Sequence, residues 1–73
     1  MLRVYGRAAH SGIAPQDGIS AIEEISYKII ELQKLNRYEE GININVGIIR
    51  GGEAANVISP YAEAAIDVRI TKK

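Results

Sequence analysis

Three polar residues in this sequence have side chains suited to binding a small polar ligand, namely His10, Asn56 and Arg69. An imidazole can donate a hydrogen bond to an oxyanion, an amide can donate and accept, and a guanidinium can bind a carboxylate through two parallel bonds. His10 is the only histidine, and it follows a predicted strand in a loop of small residues. Side chains in such loops can reach a ligand, so this position is compatible with a binding role.

Each of these residues also has an ordinary structural interpretation. His10 could be a solvated loop histidine, and Asn56 could cap a turn through its own backbone, which is the commoner use of asparagine. Arg69 lies two residues after Asp67 on one face of a predicted strand, so the two could form a simple ion pair. Ser11 beside His10 does not indicate a nucleophilic pair, because neighbouring side chains rarely point together and no activating geometry is implied.

The spacing of apolar residues predicts the elements that must position these side chains. Alternation at every second residue predicts strands over residues 2–7, 42–49 and 62–70. Between the first two strands, an apolar stripe at i, i+3, i+7 and i+10 predicts a helix, and its members are Ile22, Ile25, Ile29 and Leu32. Ser20 and Glu23 have the spacing of a capping box, so we expect the helix to begin between residues 17 and 20 and to end near residues 36–38. Residues 8–18 and 51–60 are predicted to be loops.

The order β-α-β-β predicts an α+β fold of the ferredoxin-like, split βαβ type. The first two strands should run parallel through a right-handed crossover, with the third strand between them and antiparallel to both. The result is an antiparallel or mixed three-stranded sheet with one helix on its apolar face. Val4, Ile44 and Ile66 should then face the helix.

Composition excludes several classes of function. Nine basic residues balance nine acidic ones without a basic stripe, which argues against nucleic acid and membrane surfaces as partners. No apolar stretch approaches the roughly 20 residues that span a bilayer, and the first residues lack the apolar core of a secretory signal, so we expect a soluble, cytoplasmic domain. The absence of cysteine and the single histidine exclude a cysteine- or histidine-built zinc site within one chain. A chain this short has a marginal core and is expected to need a partner.

Taken together, the sequence motifs resemble the dimerisation domain of the zinc aminoacylase/carboxypeptidase family. That family includes glutamate carboxypeptidase, aminoacylase, tripeptidase and succinyl-diaminopimelate desuccinylase. The first motif, which is most similar to the glutamate-carboxypeptidase-like branch, comprises residues 4–12 and 15–22, and the second comprises residues 51–52, 55–58 and 66–69. Both motifs stand in the family's order around the predicted helix. Ser59 departs from the pattern, because the family usually has proline at this position.

The resemblance implies that residues 1–73 form part of a dimerisation, or lid, domain that lacks its last helix and strand. The zinc-binding catalytic domain would lie outside this chain, which alone would bind no zinc and have no activity. His10 is similar to a histidine that donates to the developing oxyanion in the partner subunit's active site. Asn56 and Arg69 look like substrate-binding residues, and Arg69 would bind the terminal carboxylate of a small peptide or acyl-amino acid.

A homodimer is expected through the edge strand 42–49 and the helix, because this strand carries no proline, lysine or glutamate to block pairing. The alternative function is a free-standing ferredoxin-like module that binds a small molecule or a protein, since the fold alone does not decide function. A nucleic-acid-binding ferredoxin-like domain is the weakest option, because only Tyr5 of the first strand could stack on a base.

Overall fold

The computed structural model describes residues 1–71, which form a three-stranded sheet with one helix packed on one face. Its elements in chain order are β1 Leu2–Tyr5, β2 Ala9–His10, α1 Ala21–Gln33, β3 Ile42–Gly51, β4 Val57–Ile58 and β5 Tyr61–Ile70, with 3-10 turns at Pro15–Asp17 and Tyr38–Glu40. In the sheet, β5 lies between β1 and β3 and runs antiparallel to both. The predicted α+β fold and strand order are therefore confirmed. No helix within residues 1–71 has the length and apolar character needed to cross a bilayer.

The two predicted loops contain a second, smaller sheet. β2 and β4 pair antiparallel, one from each predicted loop, and form a two-stranded ribbon. The prediction of loops alone was wrong here, because a strand of two residues is too short to show alternation in its sequence.

The helix α1 begins where the capping residues indicate but ends earlier than predicted. The Ser20 hydroxyl accepts the backbone N–H of Glu23 at 3.1 Å, which satisfies one of the free donors of the first turn. The helix ends at Gln33 and not near residues 36–38. Its early end has a local cause, because the backbone of Arg37 already pairs with that of Ile42 at the start of β3.

Loss of this cap gives a stability prediction. We expect Ser20→Ala to lower the free energy of unfolding by about 1 kcal/mol, because the N–H of Glu23 loses its partner. Urea denaturation followed by circular dichroism measures the change. Ser26→Ala is the matched control, because the exposed Ser26 hydroxyl donates to the carbonyl oxygen of Ile22 inside the same helix, caps no free N–H, and is replaced by the better helix former. Equal unfolding midpoints for the two variants would contradict a stabilising cap.

The core lies between α1 and the middle of the sheet, and its buried members are Val4, Ala21, Ile25, Ala62 and Ala64. The alanines on the helix and on β5 allow α1 to approach the sheet closely, and Ile25 fills the space between them with no exposed surface. Val4 and Ile44 are buried as predicted. Val68 and Ile70 remain exposed, because a 13-residue helix spans about 20 Å whereas ten-residue strands extend about 33 Å.

A β-bulge in β3 changes the face on which its later residues lie. Alternation predicted Ile48 on the same face as Ile44 and Val46, but the register shifts between Val46 and Ile48. After the shift Ile48 pairs with Ala65, on the face away from the helix, and Ile49 pairs with a buried alanine of β5. The bulge therefore places Ile49, and not Ile48 as predicted, on the face that carries Ile44 and Val46.

The outer edge of β3 was expected to be unpaired along its whole length, and its first half is not. The side chain of Asn36 accepts the N–H of Ile44 at 2.6 Å and donates to the carbonyl oxygen of Ile44 at 3.0 Å. The Gln33 side chain accepts the N–H of Val46 at 3.0 Å. Asn36 thus takes the place of a neighbouring strand. Beyond the bulge, antiparallel alternation turns the N–H and C=O of Ile49 outward, and within residues 1–71 no group binds them.

Candidate functional site

The β2–β4 ribbon brings His10 and Asn56 together, although they are far apart in the sequence. Their side chains meet with 3.4 Å between Asn56 Nδ2 and His10 Nε2. The backbone carbonyl oxygen of Asn56 accepts the backbone N–H of Ser11 at 3.0 Å, which extends the ribbon by one further hydrogen bond. Both side chains are exposed, so a ligand can reach the pair.

The other ring nitrogen of His10 has a backbone partner. The N–H of Gly12 donates to His10 Nδ1 at 3.2 Å. Nothing in the sequence indicates this contact beyond a glycine two residues after the histidine, because any residue except proline carries a backbone N–H. The imidazole is thus held on one side by the main chain and faces Asn56 with its other nitrogen.

A close backbone approach fixes the start of the loop that carries His10. The N–H of Arg7 donates to the carbonyl oxygen of Ile19 at 2.8 Å, and the N–H of Ile19 donates to the carbonyl oxygen of Arg7 at 2.8 Å. The neighbouring Gly6 lies so close that a Cβ there would collide with the Ile19 carbonyl oxygen. Glycine is therefore required at position 6 to bring the end of β1 against the segment that leads into α1.

Ser59, which stands where the resemblance predicted proline, shapes the segment between Asn56 and β5. Its hydroxyl is buried, donates to the carbonyl oxygen of Tyr61 at 2.7 Å, and lies 3.4 Å from the Tyr61 nitrogen. Its own carbonyl oxygen accepts the N–H of Ala21 at 2.9 Å and so satisfies a donor at the start of α1. The serine therefore connects the Asn56 loop to the helix.

Arg69 lies at the other end of the sheet. It is eight residues after the start of β5, a distance of about 26 Å along an extended strand, so it cannot share a small ligand with His10 of the same chain. Its Nε donates to Asp67 Oδ2 at 2.8 Å, as the ion-pair interpretation predicted. This hydrogen bond, together with the charge of Asp67, raises the pKa of Arg69. Because the contact to Asp67 uses only Nε, the two terminal nitrogens can still bind a carboxylate.

The side chains of residues 1–71 do not form a metal site, because no three histidine, cysteine, aspartate or glutamate residues cluster there. A zinc ion needs about three or four such ligands. A groove of about 580 Å³ lies between Leu2 and one side of α1, and its lining includes none of the three candidate residues. The three candidate residues therefore lie at the two ends of the sheet, with His10 and Asn56 at one end and Arg69 at the other.

Comparison with known proteins identifies the family of this chain. The family model described as the peptidase dimerisation domain matches residues 1–73. The chain belongs to this family. The resemblance predicted from the two motifs is thereby confirmed at the level of the family.

The relatives are longer hydrolase-like proteins. The chain is 36% identical over 69 residues to a p-aminobenzoyl-glutamate hydrolase homolog from Haemophilus influenzae, covering 93% of the chain and 16% of the relative. It is 27% identical over 71 residues to carboxypeptidase G2 from a Pseudomonas species, covering 97% of the chain and 17% of that protein. This peptidase dimerisation domain therefore spans about a sixth of the length of the curated relatives it matches.

Solved structures agree on the fold. An aminobenzoyl-glutamate utilization protein from Klebsiella pneumoniae superimposes with a TM-score of 0.85 at 26% identity, over 93% of this chain and 18% of that one. An aminopeptidase from Bacillus cereus superimposes with a TM-score of 0.77 at 31% identity, over the same shares of the two chains. The sheet and helix described above thus recur as one part of larger proteins.

Proposed function

We propose that this peptidase dimerisation domain provides the dimer contact and the active-site lid of a zinc-dependent hydrolase that cleaves a peptide or N-acyl-amino-acid amide bond. Membership of the family and the names of the relatives support a peptidase or amidohydrolase. The zinc ligands would belong to a catalytic domain outside this chain, since residues 1–71 hold no cluster suited to the metal. The domain contributes polar groups that close over the substrate.

The observation that carries this proposal is the meeting of His10 and Asn56 at an exposed end of the sheet. Amide hydrolysis places negative charge on the former carbonyl oxygen in the transition state. An N–H donor held in position beforehand stabilises that charge, and an active site that excludes water strengthens the effect. A histidine and an amide held together by a ribbon of two short strands can provide such donors.

Dimerisation explains how Arg69 can join this pair. We place the twofold axis beside residues 48–51, the free half of β3, so that the β3 strands of two copies pair antiparallel. Antiparallel pairing reverses the second strand, which brings the end of one sheet that carries Arg69 beside the end of the other that carries His10 and Asn56. Three strand spacings of about 4.8 Å then separate the two β5 strands, about 14 Å in all. A small peptide with a free carboxylate could contact both ends.

The longer hydrolase that we propose to contain this domain is called the parent enzyme below. Arg69→Ala in the parent enzyme tests the substrate class. We expect a KM about tenfold or more higher for substrates with a free carboxylate and a kcat that changes little, because a carboxylate contact binds the ground state and the transition state equally. Arg69→Lys is the matched variant, since it keeps the charge and loses the planar fork, and should recover part of the affinity. Steady-state kinetics on an acid substrate and its carboxamide analogue measure the effect.

A KM increase of equal size on the carboxamide would contradict carboxylate binding by Arg69. The wider proposal requires that the parent protein hydrolyses peptides or acyl-amino acids and that the 73-residue chain alone does not. A parent protein without hydrolase activity on these substrates would instead favour the free-standing ferredoxin-like binding module.

A further inference from the structure

We infer that Gly12 and Asn56 hold His10 as the neutral tautomer that carries its proton on Nε2, so that His10 presents an N–H donor, and not a lone pair, to its ligand. Asn56 is then a positioning residue for the ring. The tautomer follows from contacts within the chain, and only its use on a substrate rests on the proposed function.

The backbone decides the state of the first ring nitrogen. The N–H of Gly12 lies 3.2 Å from His10 Nδ1, and a backbone N–H can only donate. Nδ1 must therefore accept, which requires that it carry no proton. A neutral imidazole holds one proton between its two nitrogens, so the proton lies on Nε2.

The side chain of Asn56 completes the arrangement. With a proton on Nε2, an amide nitrogen 3.4 Å away would place two donors against each other. A half-turn of the amide removes this conflict, since the oxygen then faces the ring and accepts from Nε2–H. The backbone of Asn56 stays in place during this rotation, because its carbonyl oxygen is bound by the N–H of Ser11 at 3.0 Å.

This arrangement selects the chemistry of the ligand. In the free chain Nε2–H donates to the side-chain oxygen of Asn56, and both side chains are exposed. A carbonyl oxygen or an oxyanion of a ligand that displaces the Asn56 oxygen then accepts from Nε2–H. An N–H donor does not suit a metal ion or a proton to be abstracted, because each requires a free lone pair. The site thus favours stabilisation of negative charge on oxygen over general-base catalysis at His10.

The single histidine allows a direct test on the 73-residue chain. Long-range ¹H–¹⁵N correlation spectra of the imidazole identify which nitrogen carries the proton, in a buffer alkaline enough that a further rise in pH leaves the spectrum unchanged. We expect a protonated Nε2 and a bare Nδ1, with a larger share of this tautomer than in an unstructured peptide of residues 7–13. A majority of the Nδ1–H form, or the same ratio as in the peptide, would overturn the inference.

Two pairs of variants assign the effect to its causes. Gly12→Pro removes the backbone N–H and should return the tautomer ratio to that of the peptide, whereas Gly12→Ala keeps the N–H and should preserve the native ratio. Alanine fits, because a Cβ on Gly12 would lie 3.4 Å from His10 Cε1, an ordinary van der Waals distance. Asn56→Asp keeps an acceptor and should preserve the ratio, whereas Asn56→Leu should lower the Nε2–H share. The Asn56 pair tests the inference even if proline disturbs the ribbon, and no change in Asn56→Leu would remove Asn56 from the positioning role.

The outcome is separable from that of the proposed function. The Nε2–H tautomer in the chain together with full turnover of His10→Ala in the parent protein would refute the catalytic role and leave the inference intact. The Nδ1–H tautomer together with an inactive His10→Ala enzyme would refute the inference alone.

Discussion

Replacing His10 by alanine in the parent enzyme is expected to lower kcat by about 10²–10³-fold while KM changes little. The reason is that a donor to an oxyanion acts mainly after charge has moved onto the substrate oxygen, so its loss raises the barrier more than it weakens binding. The contact between His10 and Asn56 places the imidazole at an exposed end of the domain, where another subunit's substrate can meet it. Steady-state kinetics on a peptide or acyl-amino-acid substrate measure the two constants separately.

Two further variants separate a role in catalysis from a role in folding. His10→Gln retains a side-chain N–H donor and should recover part of the lost turnover. Gln16→Ala changes an exposed side chain in the neighbouring turn and should leave both constants near those of the unmodified enzyme. Full activity of His10→Ala would return this histidine to the interpretation of a solvated loop residue.

Most of the fold could be predicted because its elements are long enough to repeat their pattern. Ten-residue strands alternate over several cycles, and the stripe that contains Ile25 recurs over three helical turns. The bulge at Gly47 could not be predicted in this way. Ile48 and Ile49 are adjacent isoleucines, so either of them satisfies the apolar face, and the register with Ala64 and Ala65 decides between them.

The candidate site was only partly predictable, for a different reason. Residue types suggested His10, Asn56 and Arg69, but which of them meet depends on pairing between strands of two residues, which have no period to detect. The contact from the Gly12 N–H is invisible in sequence, because every residue except proline offers the same donor. The hydrogen bonds between the Asn36 side chain and the edge of β3 were not predicted, because a polar residue after a helix is typical of any helix end.

Self-association through the free half of β3 gives the second large expected effect. We expect the 73-residue chain to dimerise and Ile49→Pro to weaken the dimer by about 30-fold. Each copy loses one outward N–H, so the dimer loses two hydrogen bonds of about 1 kcal/mol each, or about 2 kcal/mol together. Within β3 the residue is suited to this test, because its N–H points away from β5 and proline therefore removes no bond of the sheet itself. Sedimentation equilibrium over a range of concentrations measures the dissociation constant.

The control places the same substitution on the opposite edge of the sheet. Arg3 pairs with Glu63 at a position where its own N–H also faces outward, so Arg3→Pro tests whether an edge proline weakens association wherever it stands. The first half of β3 is already bound by Asn36 and Gln33, which is why the interface is expected beyond the bulge and not along the entire strand. Equal weakening by Ile49→Pro and Arg3→Pro would remove the assignment to β3. A chain that stays monomeric at about 100 µM would exclude a dimer formed by this domain alone.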